Sequence, residues 1–110
     1  MTDCIFCKIA NHDIPTNPVF ENDKVIAFND LNPQAPIHIL VIPKEHIESV
    51  KDIKDLRIIN DLFDTIQQII KQENITDFRT VINTGSEAGQ TVFHLHIHIL
   101  AGRPLLWPPG

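Results

Sequence analysis

From His94 to Leu100 the chain alternates imidazole and apolar side chains, His-Leu-His-Ile-His-Ile-Leu, with Val92-Phe93 leading in. Successive side chains of a strand point to opposite faces, so His94, His96 and His98 share one face at ~6–7 Å steps. Phe93, Leu95, Ile97 and Ile99 take the other face, where a helix could cover them. The pattern predicts a strand over 92–100, in a sheet with one packed face and one chemical face. Three imidazoles in a row are costly without a purpose, since each is titratable and a weak strand former. Two chemistries suit them. A His-x-His pair can coordinate a metal; alternatively the central ring attacks an electrophile while its neighbours move a proton or hold an oxyanion. An imidazole nucleophile suits phosphorus, because the ring is largely neutral near pH 7 and its phosphoryl adduct is labile to water. No close Asp or Glu pair lies in the segment to decide the matter.

The rest of the chain can build such a sheet. Asp3 to Asn11, apolar at Ile5, Phe6 and Ile9, fits two turns of helix, and the loop after it carries Pro15 and Pro18. Val19–Glu21 and Lys24–Phe28 read as a hairpin about Asn22-Asp23, residues that tolerate positive φ in a tight turn. Asp30–Pro36 is a loop, and Ile37–Ile42 is a β-branched strand closed by Pro43. Over Ile53–Gln72 the residues Leu56, Ile59, Phe63, Ile66 and Ile70 recur at intervals of three and four, with Leu62 and Ile69 widening the stripe. That is one long amphipathic helix, whose Asp and Glu residues form a solvated face. Phe78–Asn83 is a fourth strand, Thr84–Thr91 a turn with Gly85 and Gly89, and Arg103–Gly110 an irregular tail. The fold class is α+β: a mainly antiparallel five-stranded sheet with one short N-terminal helix and one long helix.

Composition narrows the function. A chain of 110 residues makes one domain, 1–110. Its net charge of -5 argues against gripping a nucleic acid polymer, which needs a basic face. No apolar stretch approaches the ~20 residues of a membrane span. The first residues have no basic-then-apolar pattern of a secretory signal, so a cytoplasmic location is expected. There thiols stay reduced, and a Cys4–Cys7 disulfide is disfavoured. A thioredoxin-like pair would need a strand before it, for which three residues leave no room. Half of a zinc site is the first reading of Cys4 and Cys7.

The string His94-Leu95-His96-Ile97-His98-Ile99-Leu100 resembles the histidine triad of the HIT superfamily. Asn83-Thr84-Gly85 with Ala88-Gly89-Gln90-Thr91, the run Pro33 to Pro43, Gly102-Arg103-Pro104 and Trp107-Pro108-Pro109-Gly110 extend the likeness to the Hint branch. The resemblance implies a nucleotide-binding hydrolase of nucleoside (adenosine) 5′-phosphoramidates that works through a nucleotidyl-histidine. His96 would be the nucleophile, His98 would bond the phosphate or leaving atom, and His38 would complete the proton-handling set. Asn83, Gly89, Gln90 and Thr91 would hold the phosphate, where a glycine-bearing turn lets N–H groups converge on an anion. Asp30 would accept from the ribose hydroxyls, and Ile5, Phe6, Ile9, Phe28, Leu31 and Leu40 would form an apolar base pocket.

The same resemblance gives the cysteines partners. Cys4, Cys7, His46 and His94 would make a closed structural Zn2+ site, tying the first helix to the sheet. It also implies a homodimer with an extended sheet, and Leu105 to Pro109 would dock on the partner or on their own subunit. Two features depart from the pattern: the cysteine pair and the Trp-Pro-Pro-Gly ending occur together, and Asn29 stands where many Hint proteins have His. The partners implied are a purine mononucleotide or nucleoside phosphoramidate. The alternatives are a dinucleotide polyphosphate hydrolase and a nucleotide-binding regulatory protein with vestigial catalysis.

Overall fold

The computed structural model describes residues 3–110. Its strands β1 (Phe20–Glu21), β2 (Val25–Asn29), β3 (Ile37–Pro43), β4 (Phe78–Val81) and β5 (Ile97–Ala101) form one sheet. Every pairing is antiparallel, in the order β1-β2-β3-β5-β4. The short helix α1 (Ile5–Ala10) and the long helix α2 (Arg57–Gln72) complete the expected α+β architecture.

The two faces separate by strand periodicity. Val25, Ala27, Ile39, Val41, Ile97 and Ile99 join Leu62, Ile66 and Ile69 of α2 in one core, with Leu95 at its border. Ile26, Phe28, Leu40 and Ile42 point the other way and pack with Phe6 and Ala10 of α1. The β3/β5 register sets Leu40 opposite His98 and His38 opposite Leu100, so His38 and His98 are diagonal neighbours on the α1 side.

Most element ends shift by one or two residues from the sequence expectation, and two differ by more: the start of the long helix and the start of the last strand. The long helix starts at Arg57, not Ile53, because the Asp55 carboxylate caps it by accepting from the Arg57 amide at 3.0 Å. Ile53 precedes the helix yet still packs on the core, whereas Leu56, counted in the apolar stripe, is exposed. The helix ends where Asn74 adopts φ 55° and the Ile75 amide donates back to the Ile70 carbonyl. In the hairpin, neither Asn22 nor Asp23 has positive φ; the Asn22 side chain instead accepts from the Lys24 and Val25 amides, both at 2.9 Å.

The third correction bears on function. The last strand begins at Ile97, so the residues from Val92 to His96 lie outside the ladder. Register explains the break: Leu95 would fall opposite Pro43, which has no N–H to offer a ladder. The chain turns aside, and the Leu95 amide donates to the Ile47 carbonyl at 2.6 Å. Leu95 remains core, but Phe93, expected beneath a helix, is exposed. β4 likewise ends at Val81 and does not reach Asn83, which by register would fall opposite His96, outside the last strand.

Gly102 follows β5 with φ 95°, and a Cβ there would sit 2.9 Å from Pro36 Cβ. The positive φ and the close approach both require glycine. Gly102→Ala is expected to cost about 2 kcal/mol or more, read as a lower urea midpoint; an unchanged midpoint would show that the Pro36 loop yields freely.

Candidate active site and its metal-ligand cluster

The imidazoles of His38, His96 and His98 meet on the α1 side of the sheet, with ring centroids 5.1 Å apart for His38–His98 and 5.0 Å for His96–His98. Backbone groups fix their tautomers, because a carbonyl can only accept and an amide can only donate. His96 Nδ1 lies 2.7 Å from the His94 carbonyl and must carry the proton, which leaves a lone pair on Nε2. Burial holds the His96 pKa below its ordinary value, against the opposing pull of that hydrogen bond and of Asp30. The ring is therefore neutral at pH 7, with the unprotonated nitrogen that a nucleophile needs.

His38 is fixed from the opposite direction. Its Nδ1 accepts from the Gln34 amide at 3.0 Å, so its proton sits on Nε2, 2.9 Å from His98 Nδ1. His98 accepts there and carries its own proton on Nε2. Among the described residues that Nε2 is buried without a hydrogen-bond partner. An orphaned buried donor beside a nucleophile is the group a developing anion or leaving atom would satisfy. The His98 pKa is pushed down to about 4 by burial first, then by His96 and His38.

Asp30 Oδ2 stands 3.4 Å from His38 Nε2, and Asp30, His38 and His98 are close enough together for a shared cation. The tautomers oppose one. To offer a lone pair at Nε2, His38 would need its proton on Nδ1, where the Gln34 amide already donates. The His38 Nε2 proton is directed instead at His98 Nδ1.

The other expected residues divide into groups. Phe6, Phe28 and Leu40 are buried in one apolar cluster with Ile9 at its edge, and Phe6 meets the His96 ring edge-on at 5.1 Å. Ile5 and Leu31, assigned to the same pocket, are exposed and stand apart from that cluster. In the loop before the triad, the amides of Gly89 and Gln90 are engaged by the Ser86 and Gly85 carbonyls. The Gln90 side chain is buried as a strut, accepting from the Gly85 amide and donating to the Glu48 and Val92 carbonyls. Asn83 contributes a long contact from Nδ2 to the Gly89 carbonyl, and Thr91 is exposed. The roles of Gln34, Pro43 and His94 as backbone partners had no signal in the sequence, since every residue type offers a carbonyl.

Cys4, Cys7, His46 and His94 converge from α1, from the turn after β3 and from the bend before β5. His94 is fully buried; its Nε2 donates to the Pro43 carbonyl at 2.8 Å, so Nδ1 turns a lone pair towards the cysteines. Tetrahedral zinc, with bonds of about 2.0 Å to nitrogen and 2.3 Å to sulfur, separates its ligand atoms by roughly 3.3–3.7 Å. Here His94 Nδ1 lies 3.2 Å from His46 Nδ1, 3.4 Å from Cys4 Sγ and 3.6 Å from Cys7 Sγ, and Cys7 Sγ lies 3.2 Å from His46 Nδ1. The donor set fits the ion. The Cys7 amide also donates to Cys4 Sγ at 3.3 Å, as suits a thiolate. Burial and Cys4 raise the Cys7 pKa, so a bound cation would be needed to deprotonate it at neutral pH.

A five-stranded antiparallel sheet carries, on one face, a neutral, carbonyl-oriented histidine beside an orphaned imidazole donor. Residues 3–104 match the family described as "Scavenger mRNA decapping enzyme C-term binding". The chain is 50% identical to an uncharacterised HIT-like protein of Synechococcus elongatus, over 98% of this chain and 97% of that one. It is 43% identical to adenylylsulfatase HINT1 of Arabidopsis thaliana (96% of this chain, 76% of that one) and 42% identical to the 14 kDa zinc-binding protein of Brassica juncea (98% and 100%). Among solved structures, a HIT family hydrolase from Legionella pneumophila superposes with TM-score 0.93 at 40% identity, covering 98% of this chain and all of that one. A histidine triad protein from Clostridium difficile gives TM-score 0.93 at 52% identity, covering 96% of each chain. The chain belongs to the HIT, or histidine triad, family.

Proposed function

We propose that the protein hydrolyses nucleoside 5′-phosphoramidates, adenosine phosphoramidates above all, through a nucleotidyl-histidine. The observation that carries this reading is the pair of opposed tautomers: a lone pair on His96 Nε2 beside an unpartnered N–H on His98 Nε2. In the first step His96 Nε2 attacks the α-phosphorus, the P–N bond breaks, and the His98 Nε2 proton passes to the departing amine. In the second, water attacks the adduct, gives its proton to His98, and the nucleoside monophosphate leaves as His96 is regenerated. Hydrogen bonds from Nε2–H of His98 and from the Asn83 amide would stabilise the charge on the phosphoryl oxygens. Asp30 suits a ribose diol, and Phe6, Phe28 and Leu40 provide an apolar wall for the base. The test is turnover of an adenosine phosphoramidate with mass spectrometry for a nucleotidyl adduct. An adduct on His96 supports the reading, and an inert protein that still binds the monophosphate replaces it with a nucleotide-binding regulator.

Cys4, Cys7, His46 and His94 would hold structural Zn2+, away from the reacting phosphorus. Such an ion would cross-link α1 to the sheet, as the name of the Brassica relative encourages. Reduced cysteines of this kind suit the cytoplasm. A homodimer completes the reading. α2 packs chiefly over β2 and β3, which leaves Phe78 exposed on edge strand β4 and Phe63 exposed on α2, while Leu106 and Trp107 of the tail are also exposed. An uncovered apolar edge strand is a pairing surface. Sedimentation at micromolar concentration is expected to show twice the 12.5 kDa chain mass; a species at 12.5 kDa would remove the dimer.

A further inference from the structure

We propose that metal loading of the Cys4–Cys7–His46–His94 cluster controls the nucleophile itself, setting the tautomer and ring position of His96, and controls nucleotide affinity through α1 and the Phe6 wall; its consequence for turnover and the place of Phe6 against the base rest on the hydrolase reading above.

Two physical connections lead from the cluster to His96. The first is His94, which supplies a ligand nitrogen from its ring and, from its backbone, the carbonyl that accepts the His96 Nδ1 proton at 2.7 Å. That carbonyl lies in the bend outside the β5 ladder, where no strand partner holds the backbone in place. What anchors the bend is the Leu95 amide on the Ile47 carbonyl, together with the His94 side chain on Pro43. Both anchors stand next to ligands: Ile47 follows His46, and Leu95 follows His94. One ion bound by both imidazoles would staple the same two segments at the point where the sheet has let go of them.

The second connection is Phe6, which lies between the two cysteine ligands in sequence. Its ring stands edge-on to His96 at 5.1 Å and 87°, and also touches His94 at 5.9 Å and Phe28 at 5.6 Å. α1 has only six residues, and isolated helices shorter than ~12 residues are marginal in water. Its hold on the sheet therefore depends on Phe6, Ala10 and whatever binds Cys4 and Cys7. Without the ion, His46 Nδ1 and His94 Nδ1, 3.2 Å apart, have only each other and the cysteine sulfurs as partners. The bend then depends on the Leu95–Ile47 and His94–Pro43 contacts alone, and α1 on Phe6 and Ala10, so both are held less firmly. His96 becomes free to place its proton on Nε2, a tautomer with no lone pair at the attacking atom. The metal-free protein would be a mixture of His96 tautomers, and with α1 loosened the Phe6 wall is formed in only a fraction of molecules, so apparent nucleotide affinity falls by that fraction.

Linkage makes the idea measurable without any turnover. If the metal tightens nucleotide binding by some factor, the nucleotide must tighten metal binding by the same factor. The experiment uses the full chain, either carrying one zinc per chain by elemental analysis or stripped by chelator. Long-range 1H–15N spectra of the histidine rings report tautomers, and calorimetry reports AMP affinity. In the loaded protein His96 is expected as the pure Nδ1–H tautomer, and in the stripped protein as a mixture. AMP should bind about tenfold more weakly after stripping, and zinc about tenfold more tightly when AMP is saturating. Identical His96 spectra and identical AMP affinity in two forms with the same far-UV circular dichroism would overturn the proposal.

If stripping unfolds the wild type, His46→Asn provides the second arm. It weakens the site while keeping α1, both cysteines and His94, and zinc is titrated over the range where circular dichroism is native. AMP affinity rising with zinc occupancy supports the coupling, and affinity independent of zinc overturns it. A loaded protein with the expected tautomers and linkage that hydrolyses no phosphoramidate supports the coupling and removes the hydrolase reading.

Discussion

His96→Ala is expected to lower turnover of an adenosine phosphoramidate by roughly 10^4-fold or more, the scale on which removal of a catalytic nucleophile acts. The loss is concentrated in kcat. In the proposed reaction His96 provides the atom that forms the new bond to phosphorus, whereas the ribose and base would meet Asp30 and the apolar wall. The binding constant for AMP should change only a few-fold, which makes the fold-intact, binding-intact variant its own control. The alanine leaves a gap beside Phe6, His94 and His98 but removes no backbone hydrogen-bond donor, so the sheet is expected to persist. Retention of a tenth of wild-type activity would remove His96 from the bond-forming role. A nucleotidyl adduct on His98 instead would reverse the two assignments.

Acid is expected to destabilise the protein through His98. In the unfolded chain this ring titrates near 6.5, and in the native site burial, His96 and His38 push it down to about 4. Between those values the unfolded chain binds a proton that the native site refuses, so stability falls as pH is lowered from 6.5 towards 4. Below about 4 both states carry the proton and this loss is complete. The full swing is about 3 kcal/mol for this group. Urea unfolding of wild type and His98→Asn at several pH values isolates it from the carboxylates, which titrate in both proteins. The variant should show the shallower acid limb, and equal limbs would show that the native site admits the proton.

These predictions depend unequally on sequence and structure. The alternation from His94 to Leu100 and the apolar stripe of α2 made the fold class legible, because strand and helix periods are written directly into side-chain order. Periodicity failed where a partner was lost. Nothing local marks Leu95 as the residue that would face Pro43; that follows only from the register of β3 on β5. The helical stripe placed Leu56 under cover and the strand alternation placed Phe93 there, since a run of apolar residues does not say where its element begins or what lies above it. Ile5 and Leu31 illustrate the same limit, as an apolar residue next to a site need not join its wall.

The sequence by itself determined which side chains carry the chemistry: imidazoles on one face, two thiols near the start and an amphipathic helix to cover the other face. Only the tertiary structure decided what each imidazole can do. The His94 carbonyl, the Pro43 carbonyl and the Gln34 amide set the protons on His96, His94 and His38, and these are backbone groups that every residue possesses. One ring thereby keeps a free lone pair on Nε2, one turns a lone pair towards two cysteines and one donates a proton to its neighbour, although all are the same residue type. A sequence records side chains, whereas a tautomer is chosen by whichever carbonyl or amide the fold brings within 3 Å.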